Sequence, residues 1–222
     1  MDFFALLNAL FALETIPRII VSAVPMILAI TVHEAAHGYV ARYFGDMTAH
    51  LAGRITLNPI RHIDPIGTVL VPSLTMLIGG IFFGWAKPVP VDFSRLNNPK
   101  KDMLWVALAG PASNLAMAVI WATIIKLTPV LPASMQLPIA LMGAAGIMTN
   151  TVLMVLNLLP LPPLDGGRVV VSLLPIPLAI KFAKIERFGF IILIILLATH
   201  ILDKIMWPLI MATLTVITSI FF

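Results

Sequence analysis

The feature that most constrains this chain is its succession of long apolar runs. Met103 to Ile125, Leu137 to Leu159, Phe188 to Leu202 and Ile205 to Phe222 approach or exceed the roughly 20 residues a helix needs to cross a bilayer. Of the 222 residues, 60% are hydrophobic and 11% charged, and the mean hydropathy is +1.04, which excludes an ordinary water-soluble fold. The expectation is an all-α polytopic membrane protein with about 4–6 transmembrane helices.

Residues 3 to 13 are apolar but too few to span, and are expected as an interfacial or re-entrant helix. The opening Met1-Asp2-Phe3 lacks a positive n-region and a small-residue cleavage site, unlike a removable signal peptide. The first span runs from about Ile19 to Tyr43. Beyond it, Ala52 to Leu57 alternates polar and apolar residues before Asn58-Pro59, which predicts a short β-strand or hairpin. Residues 66 to 86 are apolar but interrupted by Pro72, Gly79 and Gly80.

Charge placement orients these elements. Lys and Arg number three in 42–65, four in 87–102, none in 128–137 and four in 161–187. A full crossing by 66–86 would put two basic loops on opposite faces, whereas a re-entrant hairpin gathers them in the cytoplasm, as the positive-inside rule requires. The spans near 103–127 and 138–160 then leave and return, and the last 35 residues hold one or two spans, broken near Asp203-Lys204. The net charge of +4 is scattered between apolar segments, which suits lipid headgroups and excludes a nucleic-acid surface. With no inverted repeat and no appended soluble domain, residues 1–222 read as a single membrane-embedded domain.

The chain has no cysteine, so any metal must be held by His, Asp or Glu. His33, Glu34 and His37 form H-E-x-x-H. On a helix, histidines at i and i+4 share a face and can bind one zinc, while Glu34, turned by about 100°, can reach a metal-bound water as general base. Chance would produce the pattern about 0.0015 times in a chain of this composition. Ionisable residues inside an apolar span also carry a cost that function explains.

A catalytic zinc takes three protein ligands and leaves one position open. Asp165 fits the third: Asn157-Leu158-Leu159-Pro160-Leu161-Pro162-Pro163-Leu164-Asp165-Gly166-Gly167 brings a carboxylate to a proline-broken helix end, with glycines that permit close approach. Read alone, Asp-Gly-Gly is a turn; the unmet need of the zinc favours the ligand.

Three separated motifs carry a resemblance to the site-2 protease family of intramembrane zinc metalloproteases. Val32 to Val40 (VHEAAHGYV) resembles its zinc-binding helix, Gly110-Pro111-Ala112-Ser113-Asn114 its second core helix, and Asn157 to Gly167 the segment bearing the third ligand. The matching core covers about 19–170. Asn58 to Gly67 and Gly84 to Val91 are similar to the compact bacterial branch, without a PDZ or CBS domain, although the segment between the first two motifs is longer than a minimal core needs. The resemblance implies one Zn2+ per chain bound by His33, His37 and Asp165, with Glu34 activating water. It also implies that Asn114 and Asn157 support the substrate carbonyl or oxyanion, a role suited to neutral amide donors; an interhelical hydrogen bond is the other reading of each.

The implied activity is hydrolysis of peptide bonds within or near transmembrane segments of other membrane proteins, in a multi-pass protein of the cell membrane whose active site opens toward the cytoplasm. A substrate helix must be locally extended before attack, and Ala52, Gly53, Arg54, Ile55, Thr56 and Leu57 are the candidate strand to pair with it. A zinc transporter or metal-binding membrane protein is the alternative; it needs no general base and usually shows repeated halves. His50, His62 and His200 are left unassigned.

Overall fold

The structure is a computed structural model, and it describes residues 2–64, Gly67 and 87–222. The expected re-entrant hairpin of 66–86 lies outside the described residues. Nine α-helices appear among those described: α1 (Phe3–Ala12), α2 (Thr15–Tyr43), α3 (Thr48–Leu51), α4 (Pro99–Leu127), α5 (Ala133–Asn157), α6 (Asp165–Leu173), α7 (Ile176–Ala183), α8 (Glu186–Ala198) and α9 (Ile201–Phe221). Four are long and apolar enough to cross a membrane: α2, α4 with the 3-10 turn to Val130 that follows it, α5 and α9.

The helix starts follow local chemistry more than the edges of the apolar runs. The α4 helix begins four residues before Met103, with Pro99 in its first turn, where the missing N–H costs nothing. The Asp102 side chain then accepts from the Asn98 N–H at 2.6 Å, closing the orphaned first turn. The C-terminal break also shifts. It falls at His200, whose left-handed φ of 56° separates α8 from α9, while Asp203 lies in the first turn of α9. The 13-residue α8 is too short to span, leaving α9 as the one span-length helix of this region.

The core is a three-helix unit of α2, α4 and α5, flanked by α1, α6 and α9. Small residues let α4 and α5 approach closely. A Cβ on Gly143 would come within 2.4 Å of the Ile125 side chain, and one on Gly146 within 2.4 Å of the Trp121 ring. The short α1 packs on the bundle: Phe3, Leu6, Leu7 and Leu10 are buried in the same apolar cluster as α5 and α9.

The predicted strand does not form. Ala52 and Gly53 complete a turn after α3, Arg54 and Ile55 are irregular, and Thr56-Leu57 bends into the 3-10 turn Pro59–His62; no strand occurs among the described residues. Its residues are held by other contacts. The Arg54 N–H is taken by the Ala49 carbonyl at 2.9 Å, and its buried guanidinium donates to the carbonyls of Lys87 and Pro88.

Those contacts gather the basic loops at one end of the bundle. Arg54 meets Lys87, Asn97 N–H donates to the Phe44 carbonyl, the Lys100 ammonium to the Leu174 carbonyl, and Arg168 lies over the Phe93 ring. Buried Asp46 ties the same end together by accepting from the N–H groups of Thr48 and Asp92.

Candidate metal centre

The i, i+4 spacing places His33 and His37 on one face of α2, and α6 delivers Asp165 to that face from its first residue. The three ligand atoms form a nearly equilateral triangle. His33 Nε2 and His37 Nε2 are 3.1 Å apart, and each lies 3.2 Å from Asp165 Oδ2. Tetrahedral zinc with bonds of about 2.0–2.1 Å holds its ligand atoms about 3.3–3.4 Å apart. The triangle therefore fits one such ion without rearrangement of the backbone.

Proton placement makes the same demand. His37 Nδ1 is 2.7 Å from the Val106 carbonyl, which can only accept, so this nitrogen carries the hydrogen. His33 Nδ1 lies 2.6 Å from Asn114 Oδ1 and donates likewise. Neutral imidazoles so protonated turn bare Nε2 lone pairs toward each other and toward a carboxylate oxygen. Three buried acceptors with no hydrogen among them call for a cation. Asp165 Oδ2, itself buried, finds no hydrogen-bond donor among the described residues.

Two glycine motifs make room for this geometry. A Cβ on Gly110 would sit 2.4 Å from His37 Nε2 and 2.5 Å from His33 Nε2, within the space a metal would use. Gly166 and Gly167 press against the backbone of 158–162, where a Cβ would come within 2.3–2.4 Å of main-chain atoms. That contact folds the proline-rich loop tightly enough to bring α6 back to α2.

Glu34 follows His33 and is half-buried. Its Oε2 accepts a 2.7 Å hydrogen bond from the Val89 N–H. Pro88 and Pro90 bias Lys87 and Val89 toward extended backbone, which keeps this donor out of helical bonding. The sequence assigned Val89 no role of its own beyond its place in the Gly84 to Val91 segment; the alternation of prolines was the visible signal.

The two asparagines are placed differently. Asn114 is completely buried: its Oδ1 accepts from His33, and its amide donates to the Ala29 carbonyl at 3.3 Å and to Asn150 Oδ1 at 2.9 Å. Both amide hydrogens are engaged between helices, the arrangement of the interhelical reading of Asn114. Asn157 donates to the Leu153 carbonyl at 3.0 Å and, among the described residues, has no hydrogen bond to the His33–His37–Asp165 cluster. Ala52 to Leu57 contributes no atom to that cluster.

The other histidines have separate partners. His50 pairs with Arg42, His200 with Asp203, and buried His62 donates from Nε2 to the Thr56 carbonyl.

No protein-family model matches the chain, and no solved structure matches it. It is 37% identical over 206 residues to a Bacillus subtilis protein named "Putative zinc metalloprotease YwhC", covering 91% of this chain and 90% of that one. It is 31% identical over 182 residues to the like-named Rip2 of Mycolicibacterium smegmatis, covering 80% and 66%. With Rip2 of Mycobacterium tuberculosis it shares 32% identity over 142 residues, or 63% and 52%. The chain thus spans nearly all of the Bacillus relative and about half to two-thirds of the mycobacterial ones. These names speak of zinc and proteolysis, which favours the protease over the transporter.

Proposed function

Since the chain belongs to the site-2 protease family of zinc metalloproteases, as its similarity to the Bacillus relative shows, we propose that it hydrolyses peptide bonds within or near the transmembrane segments of other membrane proteins. The observation that carries this reading is the convergence of His33 Nε2, His37 Nε2 and Asp165 Oδ2 beside Glu34, on a helix long and apolar enough to lie in the bilayer.

His33, His37 and Asp165 would hold one zinc per chain. When bound, zinc polarises the scissile carbonyl and brings the pKa of coordinated water toward neutrality. Glu34 takes the proton of the attacking water and passes it to the leaving amine. The Val89 N–H holds one oxygen of that carboxylate in place, leaving the other for the proton. The His33 and His37 rings are fixed by their Nδ1 hydrogen bonds, so neither must reorient during turnover. Of the two predicted amides, Asn157 is the one left to face a substrate carbonyl.

Substrates are helices whose amides are hidden in their own hydrogen bonds, and they must be extended locally before attack. The lipid bilayer confines enzyme and substrate to one plane. Water enters from the end where the basic loops gather, which the positive-inside rule makes the cytoplasmic end.

The test uses the purified full chain in detergent with single-span test substrates, and measures zinc content beside cleavage. Wild type is expected to carry one zinc and cleave, and Glu34→Gln to keep the zinc and lose cleavage. Wild-type proteolysis by Glu34→Gln would sink the assignment.

A further inference from the structure

Asn114 and Asn150 are both completely buried on apolar helices, where an amide left without partners is strongly unfavourable. They form one directed chain. Asn150 Nδ2 donates to the Gly146 carbonyl at 2.8 Å, Asn114 Nδ2 donates to Asn150 Oδ1 at 2.9 Å, and Asn114 Oδ1 faces His33 Nδ1 at 2.6 Å. The direction is imposed by its far end. A backbone carbonyl only accepts, so Asn150 must turn its NH2 toward Gly146 and its oxygen toward Asn114. Asn114 must then turn its NH2 toward Asn150 and its oxygen toward His33. The Ala29 carbonyl, 3.3 Å from the same NH2, favours the same sense.

The consequence falls on the metal centre. An oxygen opposite His33 Nδ1 requires a hydrogen there, which leaves Nε2 bare. A reversed Asn114 amide would face Nδ1 with N–H and drive the hydrogen to Nε2, the atom 3.2 Å from Asp165. His37 needs no relay, because the Val106 carbonyl fixes its tautomer directly. We propose that Asn150 is a positioning residue: through Asn114 it fixes the tautomer of His33 and keeps Nε2 open to the metal. The close α4–α5 contact allowed by Gly143 and Gly146 brings Asn150 within reach of Asn114. This inference rests on the zinc reading of the His33–His37–Asp165 cluster.

Zinc affinity is measured by chelator competition, and site geometry by Co2+ absorption, on the full chain in detergent. Asn150→Leu matches the side chain in size without an acceptor, and is expected to lower zinc affinity about 10–100-fold and to alter the cobalt bands. Asn150→Asp, protonated in this apolar setting, supplies both an O–H for Gly146 and a C=O for Asn114, so affinity within threefold of wild type is expected. Asn114→Leu should also weaken zinc binding, and adding Asn150→Leu to it should cost nothing more. Near-wild-type affinity and spectrum in Asn150→Leu, or independent losses in the double variant, would overturn the proposal. A measurement without any substitution decides it separately: 15N spectra of histidine in zinc-free wild type above pH 8 should place the His33 proton on Nδ1, and a proton on Nε2 overturns it. Wild type that binds no zinc would instead overturn the underlying metal reading.

Discussion

Adding a single methyl group at Gly110 tests the metal centre from outside its ligand set. Gly110 lies within α4, where alanine is intrinsically favoured over glycine by about 1 kcal/mol, so the substitution does not weaken the helix itself. Its Cβ, however, would stand 2.4 Å from His37 Nε2 and 2.5 Å from His33 Nε2. Ordinary contact requires about 3.5 Å, so the rings must withdraw by about 1 Å, whereas a metal site tolerates about 0.2 Å in its bond lengths. Withdrawal also strains the Nδ1 hydrogen bonds to Asn114 and Val106, each contributing about 1 kcal/mol. The gain in propensity offsets about half of that, leaving apo stability within about 1 kcal/mol of wild type. Zinc affinity should fall at least about 100-fold, or about 2.8 kcal/mol. Thermal unfolding with and without zinc, beside chelator competition, measures both quantities. A Gly110→Ala protein that binds zinc within threefold of wild type would refute the placement of Gly110 against the two imidazoles.

Asp165→Ala leaves two histidines and should reduce zinc binding below one per chain at micromolar metal; unchanged stoichiometry by metal analysis would assign the third ligand elsewhere. Val89→Pro removes the N–H that holds Glu34 while preserving an extended backbone between Pro88 and Pro90, and should lower kcat about tenfold with zinc content unchanged. Normal kcat in that variant would show that the contact does not position the base. Lys87→Cys and Lys181→Cys, both at exposed positions, should react with an impermeant thiol reagent from the cytoplasmic side, and Val130→Cys, in the turn between α4 and α5, from the other. The absence of native cysteine makes the readout unambiguous; labelling of 87 and 130 from one side would refute the topology.

The helical membrane class and three of the cluster's residue identities were legible in the chain because they depend on local order. An apolar run of span length must be helical in lipid, and i, i+4 histidines share a face whatever surrounds them. Asp165 was legible only through the motif: read alone, Asp-Gly-Gly after a proline-broken helix end is a turn, and two histidines leave a zinc one ligand short. The strand expected at Ala52 to Leu57 failed for the opposite reason. Alternation signals a strand only where a neighbouring strand offers partners, and here the Arg54 N–H closes a local turn on the Ala49 carbonyl while its side chain ties the segment to Lys87 and Pro88.

What the sequence by itself determined is which chemistry is available: helices long enough for a bilayer, two imidazoles on one face, a carboxylate beside them and no thiol. The tertiary structure decided how those groups are aimed. Whether Asn114 faces a substrate or His33, which nitrogen of His33 holds its hydrogen, and that Val89 restrains Glu34 all depend on atoms 36–85 residues apart in the chain. Hydrogen-bond direction is a property of the partner as much as of the residue. It can be assigned only after the helices have packed and the backbone carbonyls of Val106 and Gly146 are in place.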